Sequence, residues 1–264
     1  MRESRDIVRQ VTVAASAVFA LVGAFVGSGA AGGTPIQDAA GGALSADATL
    51  IAPDGPAFSI WSVIYLGLLA YAVWQFLPAA SAAERHRRLG YWVAASLVLN
   101  ALWILSIQFD LLVLSVPIIV VLLAVLIQAF MQALQYRPIN AFDALVTDGT
   151  IGLYLGWVSI ATAANVTAVL VAAGFDGWGL APELWAVVVI AVAAAAGIAL
   201  AIVGRGRIAP ALSLCWGLAW VAVGRLTGDL QSVTTAIAAI VAALLVLGVT
   251  VALRLRATVS DRNQ

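Results

Sequence analysis

The chain has 264 residues, of which 63% are hydrophobic and only 10% charged, with a formal net charge of zero and a mean hydropathy of +1.05. Soluble domains carry nearer a quarter charged residues, so a water-soluble fold is excluded, and the balanced charge gives no reason to expect nucleic acid or an acidic substrate as partner. A single cysteine, Cys215, excludes a disulfide framework and a thiolate metal cluster.

A helix needs about twenty apolar residues to cross the hydrocarbon. That ruler predicts eight spans, at 8–28, 57–78, 90–108, 111–134, 147–173, 183–203, 208–224 and 233–253, and hence an all-α, polytopic transmembrane bundle. The first span has a basic start, an apolar run from Val11 to Val26 and the small residues Gly27-Ser28-Gly29-Ala30. A cleaved signal peptide is the alternative reading of that segment, and it would leave seven spans. The stretch from Ser28 to Pro56, rich in Gly, Ala and Asp, is too polar to span, and the other connections are short.

All thirteen basic residues are arginine. With eight spans, Arg2, Arg5, Arg9, Arg85, Arg87, Arg88, Arg137, Arg205, Arg207, Arg254, Arg256 and Arg262 fall on one side, and Arg225 alone on the other. The opposite loops hold Asp38, Asp47, Asp54, Asp110, Asp176, Glu183 and Asp229. Cytoplasmic loops carry the excess of arginine, so the expected orientation has both termini cytoplasmic in the inner (plasma) membrane.

No ionisable group falls at mid-span, where ion-coupled transporters usually keep one. Asp110, Asp148 and Arg225 sit near span ends, and His86, within Glu84-Arg85-His86-Arg87-Arg88, is expected as a solvated loop residue. There is no Ser/His/Asp set, Gly-rich phosphate loop or His/Cys/carboxylate cluster, so conventional hydrolytic or metal chemistry is not expected. The spans carry tryptophan and amide instead. Trp61 and Tyr65 are four apart in the second span and share a face. Asn100 precedes Trp103 by three in the third span, and Trp157, Ala161 and Asn165 form a stripe in the fifth. An amide in hydrocarbon must find a partner, which turns Asn100 and Asn165 inward, either to tie helices or to meet a ligand. Trp178 and Trp185 read as interfacial anchors. Aromatic faces with a few amides suit a flat, apolar, conjugated ligand.

At these helices the sequence resembles the TspO/MBR family of tryptophan-rich sensory and translocator proteins. GWVSIATAANV (Gly156 to Val166) is similar to the family's W-V-S-x-A-T-x-x-N segment, LNALW (Leu99 to Trp103) to its L-N-x-x-W, and PAFSIWSVIYLG (Pro56 to Gly67) to its Pro-rich start followed by F…W-x-x-x-Y. The resemblance covers about residues 8–173. It divides the chain into a five-helix unit over 1–175 and three further helices over 176–264, which carry Trp216 and Trp220. The chain departs from the family pattern in several places. Phe58 and Trp61 are three apart instead of four, and Leu153 stands near the family's proline. Val166 to Ala173 has neither the Tyr nor the Arg of the sterol-associated segment, and the first loop lacks the usual Trp and Lys. The resemblance implies a sensory or binding protein for a porphyrin-type ligand such as protoporphyrin or haem, with no required cofactor and a tendency to form homodimers. It places Phe58, Trp61, Tyr65, Asn100, Trp103, Trp157, Ala161 and Asn165 at the ligand. A transporter or permease of another lineage, a membrane enzyme and a structural subunit stay open as alternatives.

Overall fold

A computed structural model describes residues 3–30 and 34–262, so Arg2 and the side chain of Arg262 lie outside the described residues. Among the described residues the structure is all-helical, without strands. Eight helices are long and apolar enough to cross a membrane: α1 Ser4–Gly27, α2 Gly55–Trp74, α3 Glu84–Gln108, α4 Leu112–Gln135, α5 Ala141–Ala172, α6 Pro182–Val203 and α7 Ile208–Thr227, with α8 at Val233–Arg262. The all-α, eight-span fold expected from hydropathy is the observed one.

Boundaries differ from the expected ones where polar residues extend or stop a helix. α3 starts at Glu84 instead of 90, because its charged first turn is itself helical, with Arg88 Nε 2.8 Å from Glu84 Oε1 one turn away. α2 stops at Trp74 instead of 78. Leu77 precedes a proline and is extended (φ −69°, ψ 148°), and Pro78 opens a separate short turn, Pro78–Ser81. α5 starts at Ala141 instead of 147, capped by Asn140, whose side chain accepts from the Asp143 amide at 2.9 Å. The helix then passes through a π-helical turn, Ala144–Gly149, before becoming regular at Thr150.

The chain forms two compact units, and the division falls inside α2 and α5. One unit comprises Met1–Ile36 and Ile60–Leu155. In it α1 lies along α3, and α3 along α4. Lipid removes the hydrophobic drive between helices, so their association rests on close packing, and small residues permit it. A Cβ on Gly23 would come 3.2 Å from that of Ala101, and one on Gly27 would strike Ile104. Gly67 of α2 similarly faces Thr150 of α5.

The other unit comprises Gln37–Ser59 and Gly156–Gln264. Here α8 packs against both α6 and α7. Gly156 of α5 abuts the Pro210 carbonyl of α7, and Gly217 of α7 abuts Ile160 of α5. The turn between α6 and α7 needs Gly206 twice over: its φ is +74°, and a Cβ would meet the backbone of Arg254. Large apolar side chains such as Leu66, Val113 and Leu244 stay on the outside, as a lipid-facing surface requires.

Candidate functional site

In the first unit, α2 brings Trp61 and Tyr65 to one face and α3 supplies Asn100 and Trp103. The Asn100 Nδ2 donates to the Tyr65 hydroxyl oxygen at 2.6 Å, joining the two helices. The Trp61 and Tyr65 rings lie 5.6 Å apart, tilted by 34°. Trp61 also meets Tyr154 of α5 edge-on at 5.7 Å. Tyr154 is buried, and its hydroxyl donates to the Ser96 carbonyl at 3.2 Å. Asn100 is 1% exposed, and its Oδ1 is buried without a hydrogen-bond partner among the described residues. Whichever way the amide is turned, one of its two polar ends is left over beside Tyr65. Trp61, Tyr65 and Trp103 are half-buried. This face therefore combines aromatic area, a tyrosine hydroxyl and one amide atom that no described residue fills.

In the second unit, Phe58 meets Trp157 edge-on, centroids 5.9 Å apart at 80°. Trp157 is 2% exposed, Asn165 is also buried, and Ala161 between them is half-buried. Phe58 belongs to the 3₁₀ turn Gly55–Ser59 that opens α2. Three residues complete a turn there, which gives the three-residue spacing before Trp61 a geometric reason. Two α7 tryptophans join this group: Trp216 and Trp220 meet edge-on at 5.6 Å, and Trp216 Nε1 donates to the Ala57 carbonyl at 2.9 Å.

The expected residues thus form two sets: Trp61, Tyr65, Asn100 and Trp103 in the first unit, and Phe58, Trp157, Ala161 and Asn165 in the second. Tyr154 was missed in the sequence, although it continues the α5 stripe, three residues before Trp157. Trp178 is highly exposed, and Trp185 Nε1 donates to the Gly177 carbonyl at 2.9 Å, both rings clustering with Phe175.

The expectation for His86 was wrong. It is fully buried in the first turn of α3, its Nε2 3.4 Å from Asp143 Oδ1 and its ring 5.7 Å from that of Tyr71. The early start of α3 is the cause, since it turns Arg85 and His86 inward while Arg88 stays outside with Glu84. Asp143 accepts from Trp74 Nε1 at 3.0 Å, Thr147 Oγ1 at 2.7 Å and the Ile139 amide at 2.9 Å, and pairs with Arg85 Nε at 3.3 Å. Arg85 also binds Asp148 and the Tyr136 carbonyl. Asp6 is held by both Nε and Nη2 of Arg87 at 2.8 Å, and Arg9 Nη2 donates to the Ser81 carbonyl at 2.9 Å. A buried carboxylate so fully engaged is a structural charge; no free base is left on it for proton transfer.

The family model described as TSPO-like protein matches residues 13–251, continuing past residue 175 through α6 and α7 into α8. No curated protein and no solved structure matches the chain.

Proposed function

The chain belongs to the TSPO-like protein family, and from that membership we propose that it binds a hydrophobic ligand of the porphyrin or tetrapyrrole type within the membrane, to transport it or to regulate its level. The observation that supports this most is the unfilled amide atom of Asn100 beside the Tyr65 hydroxyl and the Trp61 ring. A tetrapyrrole offers a flat conjugated face for the rings and N–H and carboxylate groups for the polar atoms. Ligand sites that are largely apolar with one or two placed polar groups have this composition. The contact residues of this reading are Trp61, Tyr65, Asn100 and Trp103 in the first unit, with Tyr154 against Trp61, and Phe58, Trp157, Ala161 and Asn165 in the second, each set taken by itself.

The orientation belongs to the proposal too. Twelve of thirteen arginines on one side favour cytoplasmic termini in the plasma membrane. The binding test is a titration of the purified protein, in lipid nanodiscs, with protoporphyrin, a sterol and an apolar aromatic control, followed by tryptophan quenching. Saturable quenching by the porphyrin at lower concentration than by the control is expected. Equal, non-saturating quenching by all three would refute the reading.

A further inference from the structure

The segment leading to Phe58 is fastened to α7 at three levels. Arg225, near the end of α7, is 1% exposed. Its Nη1 donates to the Thr49 carbonyl at 3.2 Å and its Nη2 to the Ala46 carbonyl at 2.5 Å. The Trp220 carbonyl accepts from the Asp54 amide at 3.2 Å. Trp216 Nε1 donates to the Ala57 carbonyl at 2.9 Å. From Arg225 to Trp216 is nine residues, about 13 Å of helix, and the segment from Ala46 to Ala57 runs back along that length. A Cβ placed on Gly224 would stand 3.4 Å from that of Asp54, so the segment lies at van der Waals distance from α7 there. Ile51 and Ala57 are buried, so the segment is packed as well as tied. Asp47 and Asp54 on the same segment supply charge opposite to Arg225.

We infer that α7 is a positioning element of the ligand site: Trp216, Trp220 and Arg225 hold residues 46–57 and so fix where Phe58 presents its ring. Phe58 follows Ala57 directly and leans edge-on against Trp157, so displacement of the Ala57 carbonyl moves that aromatic pair. This gives a purpose to one of the helices beyond residue 175. The inference rests on the ligand reading for its consequence, but the fastening of the segment can be tested without any ligand.

The experiment uses the full chain in nanodiscs with two conservative variants. Trp216→Phe keeps the ring and removes the N–H, and Arg225→Lys keeps the charge and loses the two-pronged reach. Amide hydrogen exchange over residues 46–57 is the ligand-free readout, expected to quicken about fivefold in either variant. The second readout is protoporphyrin affinity in a double-mutant cycle with Phe58→Leu. Trp216→Phe should weaken binding about fivefold alone and have no further effect once Phe58 is leucine. Unchanged exchange in both variants overturns the inference, and so does a loss of affinity that persists in full in the Phe58→Leu background. If the unsubstituted protein binds no porphyrin, the ligand reading fails, and the exchange data still decide whether α7 holds the segment.

Discussion

Replacing Asn100 with leucine should leave the fold as stable as before, or more so, while weakening ligand binding. Among the described residues the amide makes one hydrogen bond, Nδ2 to Tyr65 at 2.6 Å, and Oδ1 is buried and unfilled. A hydrogen bond between membrane helices contributes on the order of 0.6 kcal/mol, whereas a buried polar atom without a partner costs about 1–3 kcal/mol. Leucine has the same branched skeleton as asparagine, with two bulkier methyl groups, and removes both, so the expected net gain is about 0.5–2 kcal/mol. If a ligand donor normally fills Oδ1, the same substitution removes a hydrogen bond of about 1 kcal/mol and raises Kd about fivefold. Reversible unfolding in mixed micelles reads the first quantity and porphyrin quenching the second. A variant destabilised by more than about 2 kcal/mol with unchanged affinity would refute the reasoning, because the amide would then be a tie between α2 and α3 and nothing more.

Three further outcomes follow from the packing. Arg85→Gln removes the guanidinium that pairs with both Asp143 and Asp148 and should cost about 3–5 kcal/mol in an unfolding titration, whereas Arg88→Gln, which loses an exposed pair with Glu84, should cost less than about 1 kcal/mol. Gly156→Ala meets the Pro210 backbone and should destabilise by at least about 1–3 kcal/mol, more than Gly67→Ala, which meets the side chain of Thr150; equal effects would contradict the contacts at α7. Trp61→Phe, at a half-exposed ring, should reduce porphyrin affinity more than Trp157→Phe, at a buried one, and the reverse order in quenching titrations would remove Trp61 from the site.

The spans were legible because lipid makes hydropathy a nearly sufficient signal, and the family was legible from three short motifs. Helix ends were not: Glu84 to Arg88 look like a loop by charge, yet they form the first turn of α3 and bury His86. The partner that buries it, Asp143, lies in the extra turns at the start of α5, and no local pattern joins the two. On α5 the stripe of Trp157 and Asn165 was legible, but its extension to Tyr154 was not. That helix is apolar almost all round, so periodicity marks no core side, and Tyr154 was overlooked. The ties from α7 to residues 46–57 were invisible for a different reason. Their acceptors are backbone carbonyls, which every residue has, so only the fold shows that Arg225 and Trp216 reach them. The boundary near residue 175 follows motif similarity, whereas the compact units follow packing and divide inside α2 and α5.

A structure of the protein with protoporphyrin bound in nanodiscs would be decisive for the ligand reading. We expect the macrocycle against the Trp61 and Tyr65 rings, with a pyrrole N–H or other ligand donor about 3 Å from the Asn100 amide oxygen. A porphyrin found only on the lipid-facing surface, away from Asn100, would contradict it.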